Sequence, residues 1–337
     1  MRRRTLIATT TMVALGEVVQ GLGELALPAG ESLPLRLGMS HVHAVAAVTE
    51  RLRGVVRQFG GQGELFVAVA QRYARWLGVP GAEVVKARLG AVLAELYTEA
   101  GWACYDSGVD ATGCFTRALH VAHQVGDGYG IANAAWHAGI TLVRSGHPND
   151  ALKCFQLGGF RLGEVQLDKS RPAILRADDP RLPTLTAWLK RDSAVAYALL
   201  DAPDQAKRCL AEAREGWVPC DAFECGEMDL VNAGILIDLD RFDTAEQLAA
   251  SAMRTYGEGH RAGQTHAELM LAEVHVRAGE PRGLVLARQA IEAVSSLQSV
   301  AVRRERLVPL VTALEARPGS DAKEIARMAR QVAATRV

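Results

Sequence analysis

A chain of 337 residues with 38 basic and 38 acidic side chains carries no formal net charge, so it lacks the basic excess by which a nucleic-acid binder is usually read. Apolar residues make up 49% and aromatic residues 5%, a globular composition with room for a sizeable core. Apolar positions recur at spacings of three and four within Ala-rich runs and β-branched alternation is scarce, so the fold class is expected to be all-α.

In chain order, residues 1–39 read as an N-terminal linker or signal-like segment. "RRRTLIATTTMVALG", Arg2 to Gly16, has the arginine pair and apolar run of a twin-arginine export signal. No A-x-A cleavage site follows it, and neither it nor any later stretch approaches the ~20 apolar residues that span a bilayer. A cytosolic chain without a membrane span is expected, with export as the alternative. The "HVH" at His41 and His43 falls in a helix-capping region.

Residues 40–335 are expected to form a helical-repeat domain. In "AGITLVRSGHPNDALKCF", Gly139 lies on one short helix, Ala151 and Phe155 on the next, and a Gly-His-Pro corner between them. That is the layout of a tetratricopeptide unit: small residues let two antiparallel helices approach, and a ring fills the gap that remains. The same layout is found with Gly101, Ala111 and Phe115, with Ala194 and Ala206, with Ala233 and Ala245, and with Ala272 and Leu284, the last bulky for its slot. The second-helix markers at 111, 151, 206, 245 and 284 are separated by 40, 55, 39 and 39 residues. A plain tetratricopeptide repeat has about 34, so a HEAT-like solenoid is the alternative. The long step holds a Pro-rich insertion near 168–185, where Pro172, Pro180 and Pro183 forbid a continuous helix and a functional protrusion is expected.

Three segments carry a family resemblance: "RLRGVVRQFGGQGELFVAVAQRYARWL" (Arg51 to Leu77), "ELYTEAGWACYDSG" (Glu95 to Gly108) and "ARPGSDAKEIARMARQVA" (Ala316 to Ala333). They resemble the tetratricopeptide-like sensory region of actinobacterial XRE-type helix-turn-helix transcriptional regulators. Members carry a helix-turn-helix domain ahead of an "RRRTL"-like linker, whereas this chain begins at that linker and shows no recognition helix before Arg51. The resemblance therefore implies the sensory half of a regulator, without direct nucleic-acid binding by this chain. A truncated form of a DNA-binding regulator and an exported helical-repeat scaffold are the other readings.

Stacked helix pairs make a concave groove lined by first-helix residues. Counting from each small-residue slot, the groove is expected to be faced by Trp102, Asn133, Trp136, Arg144, Trp188, Arg191, Glu227, Asp238, His266 and Arg277. Rings beside Asn and Arg suit an extended peptide, or a small ligand or protein partner; a homodimer is a further expectation. His120 and His123 share a helix face, read as half-buried, and no third ligand completes a metal site. Glu224, Glu227 and Asp229 read as a solvated helix start. Six cysteines without a CxxC pair read as buried reduced thiols, with "CDAFEC" (Cys220 to Cys225) the weak exception. No phosphate loop, zinc helix, nucleophile elbow or dinucleotide fingerprint occurs, so no enzyme activity and no cofactor are expected.

Overall fold

The computed structural model describes residues 33–167, 179, 181–218, 222–257 and 259–335. The arginine-rich N-terminal run, most of the Pro-rich insertion with Pro172 and Pro180, and Cys220 lie outside the described residues. Within them the fold is all-α, a solenoid of antiparallel helix pairs. Helix α1 (Met39–Phe59) and α2 (Gly63–Ala74) come first, α2 ending in a 3-10 turn. Five pairs follow: α3 (Glu83–Asp106) with α4 (Thr112–Gln124), α5 (Gly128–Arg144) with α6 (Pro148–Leu167), α7 (Arg181–Leu199) with α8 (Pro203–Gly216), α9 (Ala222–Asp238) with α10 (Phe242–Tyr256), and α11 (Arg261–Arg277) with α12 (Pro281–Ser295). A single turn, Val300–Val302, runs through a π turn, Arg303–Leu307, into α13 (Val308–Ala316), and α14 (Ser320–Ala334) ends the chain's described part.

The turn inside each of the five pairs is built alike. One residue takes a left-handed backbone: Gly108, Gly146, Asp201, Asp240 and Gly279, with φ from 55° to 80°. The residue after it donates back into the finished helix, as His147 N does to Leu142 O and Ala202 N to Tyr197 O, both at 2.9 Å. These are the bonds of a Schellman cap, which satisfy carbonyls the helix end leaves orphaned. Second helices then restart on residues suited to a first turn: Pro148, Pro203 and Pro281. Pro183 fits the same way. It sits in the first turn of α7, where a missing N–H costs nothing, so the helix-breaking segment ends before Arg181 and not at 185 as expected.

Small residues do hold the pairs together. A side chain placed at Gly101 would meet the Phe115 ring at 2.6 Å, and Gly139 stands against the Phe155 ring in the same way. Ala151, Ala245, Ala249 and Ala252 are completely buried. The slot in α12 is Gly283, whose added Cβ would lie 2.6 Å from the backbone of His275. Leu284, its neighbour, is half-buried beside that contact, so the expected register was one residue late. The core runs between first and second helices as successive apolar clusters, one centred on Leu93, Phe66 and Leu96, the next on Phe155 and Leu189, then Ile237 and Met270, then Ile291 and Leu310. Helix α8 is the weakest member; only Ala213 is fully buried on it, and Ala206, expected as its close-contact residue, is half-buried.

The stack does not stay open. Helix α1 packs against α3 and also against α11, and the turn after α12 lands on the first helices. Gln298 N donates to Phe59 O at 2.8 Å, and Gln298 O sits so close to Gly61 that no side chain could stand there. Asp106 accepts from Gly61 N at 2.6 Å and from the Ser299 hydroxyl. A superhelix closed by contacts about 240 residues apart in sequence surrounds a partly open cavity in place of the concave groove that was expected. Helices α7 and α8 contact α9 and α10 only sparsely, so the ring has one thin seam.

Candidate functional site

The inner faces of α1, α3, α5, α7 and α9 converge on a cavity of about 560 Å³. Eight of the ten residues expected in a groove line it: Trp102 from α3; Asn133, Trp136 and Arg144 from α5; Trp188 and Arg191 from α7; Glu227 and Asp238 from α9. The stripe on α5 is the reason for the agreement. Tyr129, Asn133, Trp136 with its neighbour His137, Ile140 and Arg144 recur every three or four residues, so one face of one helix presents them all.

Two expected residues fall elsewhere. Arg277 closes the α11 end, donating to Ile237 O at 3.1 Å and pairing with Asp240 at 2.5 Å, its guanidinium over the Phe242 ring. His266 lies behind the lining, and its Nε2 is inaccessible and without a hydrogen-bond partner among the described residues. Both misplacements have one cause: α1 packs against α11 and takes the inner wall there. Helix α1 contributes Glu50, Arg53, Val56 and Arg57 instead. The sequence marked it only as a segment before the repeats, so its charges were not expected in the site.

The aromatic wall is continuous. Trp136 and Trp188 meet with ring centroids 4.4 Å apart, Trp188 stacks near Trp217 at 6.2 Å, and His137 meets Trp136 edge-on at 4.5 Å. Trp136 Nε1 donates to Asp192 Oδ2 at 2.7 Å, and Asp192 also takes two bonds of 2.9 Å from Arg191. Such a bidentate pair fixes a planar fork in place, so Arg191 is committed to its neighbour and is not available to grip a ligand, as the groove reading expected.

The two ends of the cavity differ. At one end Arg53 binds Glu99 at 2.8 and 3.0 Å and Glu95 at 2.8 Å, with Glu50 beside it. Burial opposes the charge of both partners, yet Glu99 and Glu95 hold the Arg53 guanidinium firmly protonated, and Arg53 holds the Glu99 carboxyl below its usual range. Burial pushes His137 below its ordinary value, so its ring is neutral, with Nδ1 3.0 Å from Asn133 O. Arg181 lies over the Tyr129 ring at 5.1 Å, and Glu227 accepts from Tyr256 at 2.6 Å. Glu224 and Glu227 therefore face the cavity, not open solvent as a helix start would.

At the other end Arg144 lies 3.1 Å from Glu305 and covers the Trp102 ring at 5.2 Å. Glu305 also accepts from Tyr105 and from Arg304. Burial raises a carboxyl, but here Arg144 and Tyr105 outweigh it and Glu305 stays ionised. Arg306 completes this end beside Gly234 and Asp238. Periodicity could not have found it, because the π turn shifts the residue count that a 3.6-residue stripe depends on.

The remaining candidate ligands are scattered. His41 caps α1, receiving Gly38 N at 3.0 Å on Nδ1; His120 and His123 are exposed on α4, not half-buried. Cys104 and Cys114 are buried side by side, whereas Cys154, Cys209 and Cys225 are only partly covered. Among the described residues no group of three or more His, Cys, Asp and Glu is placed to hold a metal ion, and no helix is long and apolar enough to cross a membrane. The chain matches no known family model and no curated protein sequence.

Proposed function

We propose that this chain is a non-enzymatic, ligand-sensing domain that binds a small molecule or short peptide in its central cavity. The observation that carries the reading is the convergence of eight first-helix residues, three of them tryptophans, on one space of about 560 Å³. Sites for small molecules usually measure about 300–1,000 Å³ and combine apolar walls with a few fixed polar groups. Here the walls are Trp102, Trp136 and Trp188, and the polar groups are locked by their own pairs, which lowers the ordering cost of binding.

The ring also supplies a way to transmit occupancy. A ligand that bridges α5 and α7 on one side of the thin seam and α9 on the other binds the closed ring better than a parted one, and that differential affinity shifts shape. The likeness to XRE-type regulators makes a DNA-binding unit, linked or separate, the natural reader of the shift, in a cytosolic setting. Intrinsic fluorescence and thermal melting against a library of short peptides and small organic molecules test the proposal. A hit should quench emission and raise the Tm of the parent, and lose both effects in Trp136→Phe/Trp188→Phe. Hits that stabilise parent and variant equally would move binding out of the cavity and end this reading.

A further inference from the structure

The π turn directs four successive side chains to three different places. Arg303 is buried and donates to Thr335 O at 2.6 Å and Leu297 O at 3.1 Å. Arg304 and Glu305 share Tyr105, and Glu305 holds Arg144. Arg306 points into the cavity. Among the described residues its guanidinium has no hydrogen bond and no ion pair. Of the other arginines of the wall, Arg53, Arg144, Arg181 and Arg191 each hold a carboxylate; Arg57 has no hydrogen bond or ion pair among the described residues and is occupied by the Phe223 ring at 4.5 Å.

Arg306 is half-buried, and its guanidinium faces the cavity with no carboxylate bonded to it; reduced access to water together with Arg144 lowers its affinity for its proton. Its surroundings leave room for a partner. A side chain at Gly234 would come within 3.0 Å of Arg306 Nη2, so the wall is bare backbone at that point. Ile140, Val143, Val231 and Ile235 supply apolar surface of the same cavity, and the tryptophan wall adjoins them. Asp238, Glu273 and Glu305 lie near enough to act on Arg306 through their charge. They would repel a doubly charged phosphate more than a single carboxylate, whose planar oxygens match the guanidinium fork.

We propose that the cavity takes a small molecule with an aromatic or apolar body and one carboxylate, bound through its oxygens by Arg306. The proposal rests on the ligand-sensing reading and names its ligand class.

The test uses the full chain and matched probes, a series of phenylalkanoic acids with two to four linking carbons and the corresponding amides, titrated by tryptophan fluorescence and calorimetry. The parent should prefer acid over amide by about 10- to 100-fold, the range of a charge-assisted pair. Arg306→Gln should bring the acid down to the amide's affinity, leave the amide unchanged, and melt no lower than the parent without probe. Arg306→Lys, which keeps the charge and loses the fork, should keep part of the preference. Equal binding of acid and amide by the parent would overturn the carboxylate assignment and leave the cavity reading standing. Binding of neither probe would overturn both. A preference that survives unchanged in both variants, or a Tm that falls in Arg306→Gln with discrimination intact, would overturn the proposal by making Arg306 structural.

Discussion

Arg144, at the end of the second repeat's first helix, lies 3.1 Å from Glu305 of the π turn, across more than 150 residues of sequence. Tyr105 and Arg304 complete the cluster. Removing one partner of a fully buried pair strands the other charge and costs about 3–5 kcal/mol; this half-buried pair falls at or below the lower end of that range. Glu305→Ala should therefore destabilise the chain by about 3 kcal/mol in urea unfolding, and adding Arg144→Ala should recover part of the loss. Strictly additive losses would show that the two residues do not depend on each other.

Ala245, on α10, is completely inaccessible in the apolar cluster that α10 shares with α9 and α11. A carboxylate there would have neither water nor a cation. Ala245→Asp should cost several kcal/mol, on the order of 3 or more. Thermal melting equal to the parent's would contradict close helix stacking at that position.

Asp201 and Asp240 adopt the left-handed backbone that glycine supplies in the other three turns, each with φ 55°. Both are exposed, and Asp240 is also paired with Arg277. Asp201→Gly should relieve backbone crowding and change stability by about +0.5 to +1 kcal/mol, less the extra freedom of glycine in the unfolded chain. A measured loss would assign Asp201 a side-chain role in its turn.

His266 is held neutral by burial first and by Arg306 second, its pKa pushed down to about 3 from 6.5. Between those values the unfolded chain binds the proton and the folded chain does not, so stability falls as pH drops through 6.5 toward 3. The cost from this one residue reaches about 2 kcal/mol at pH 5. Arg144 acts in the same direction and Glu305 against it. His266→Asn should narrow the gap between unfolding midpoints at pH 7 and pH 5; an unchanged gap would show that His266 already carries a proton in the fold.

The helix pairs were legible because their determinants are local. Gly139 and Phe155, sixteen residues apart, specify one hairpin almost by themselves. Trp136 and Arg144 were placed by counting along one helix face. What escaped depends on contacts that sequence spacing does not encode. Helix α1 covers α11 only because the chain closes on itself, and that closure displaced His266 and Arg277 from the wall. Arg306 needed both the closure and the π turn. Gly283 takes the close-contact slot expected at Leu284 because a one-residue slip keeps nearly the same helical pattern.

Closure also decides where this molecule gives way first. In a linear array the terminal units fray, and each inner unit is protected by two neighbours. Here the first and last units guard one another through Phe59, Gly61 and Gln298, so the least protected amides belong to the middle of the polypeptide. Helix α8, with Ala213 alone sunk in the core, should exchange its hydrogens before either rim of the chain does.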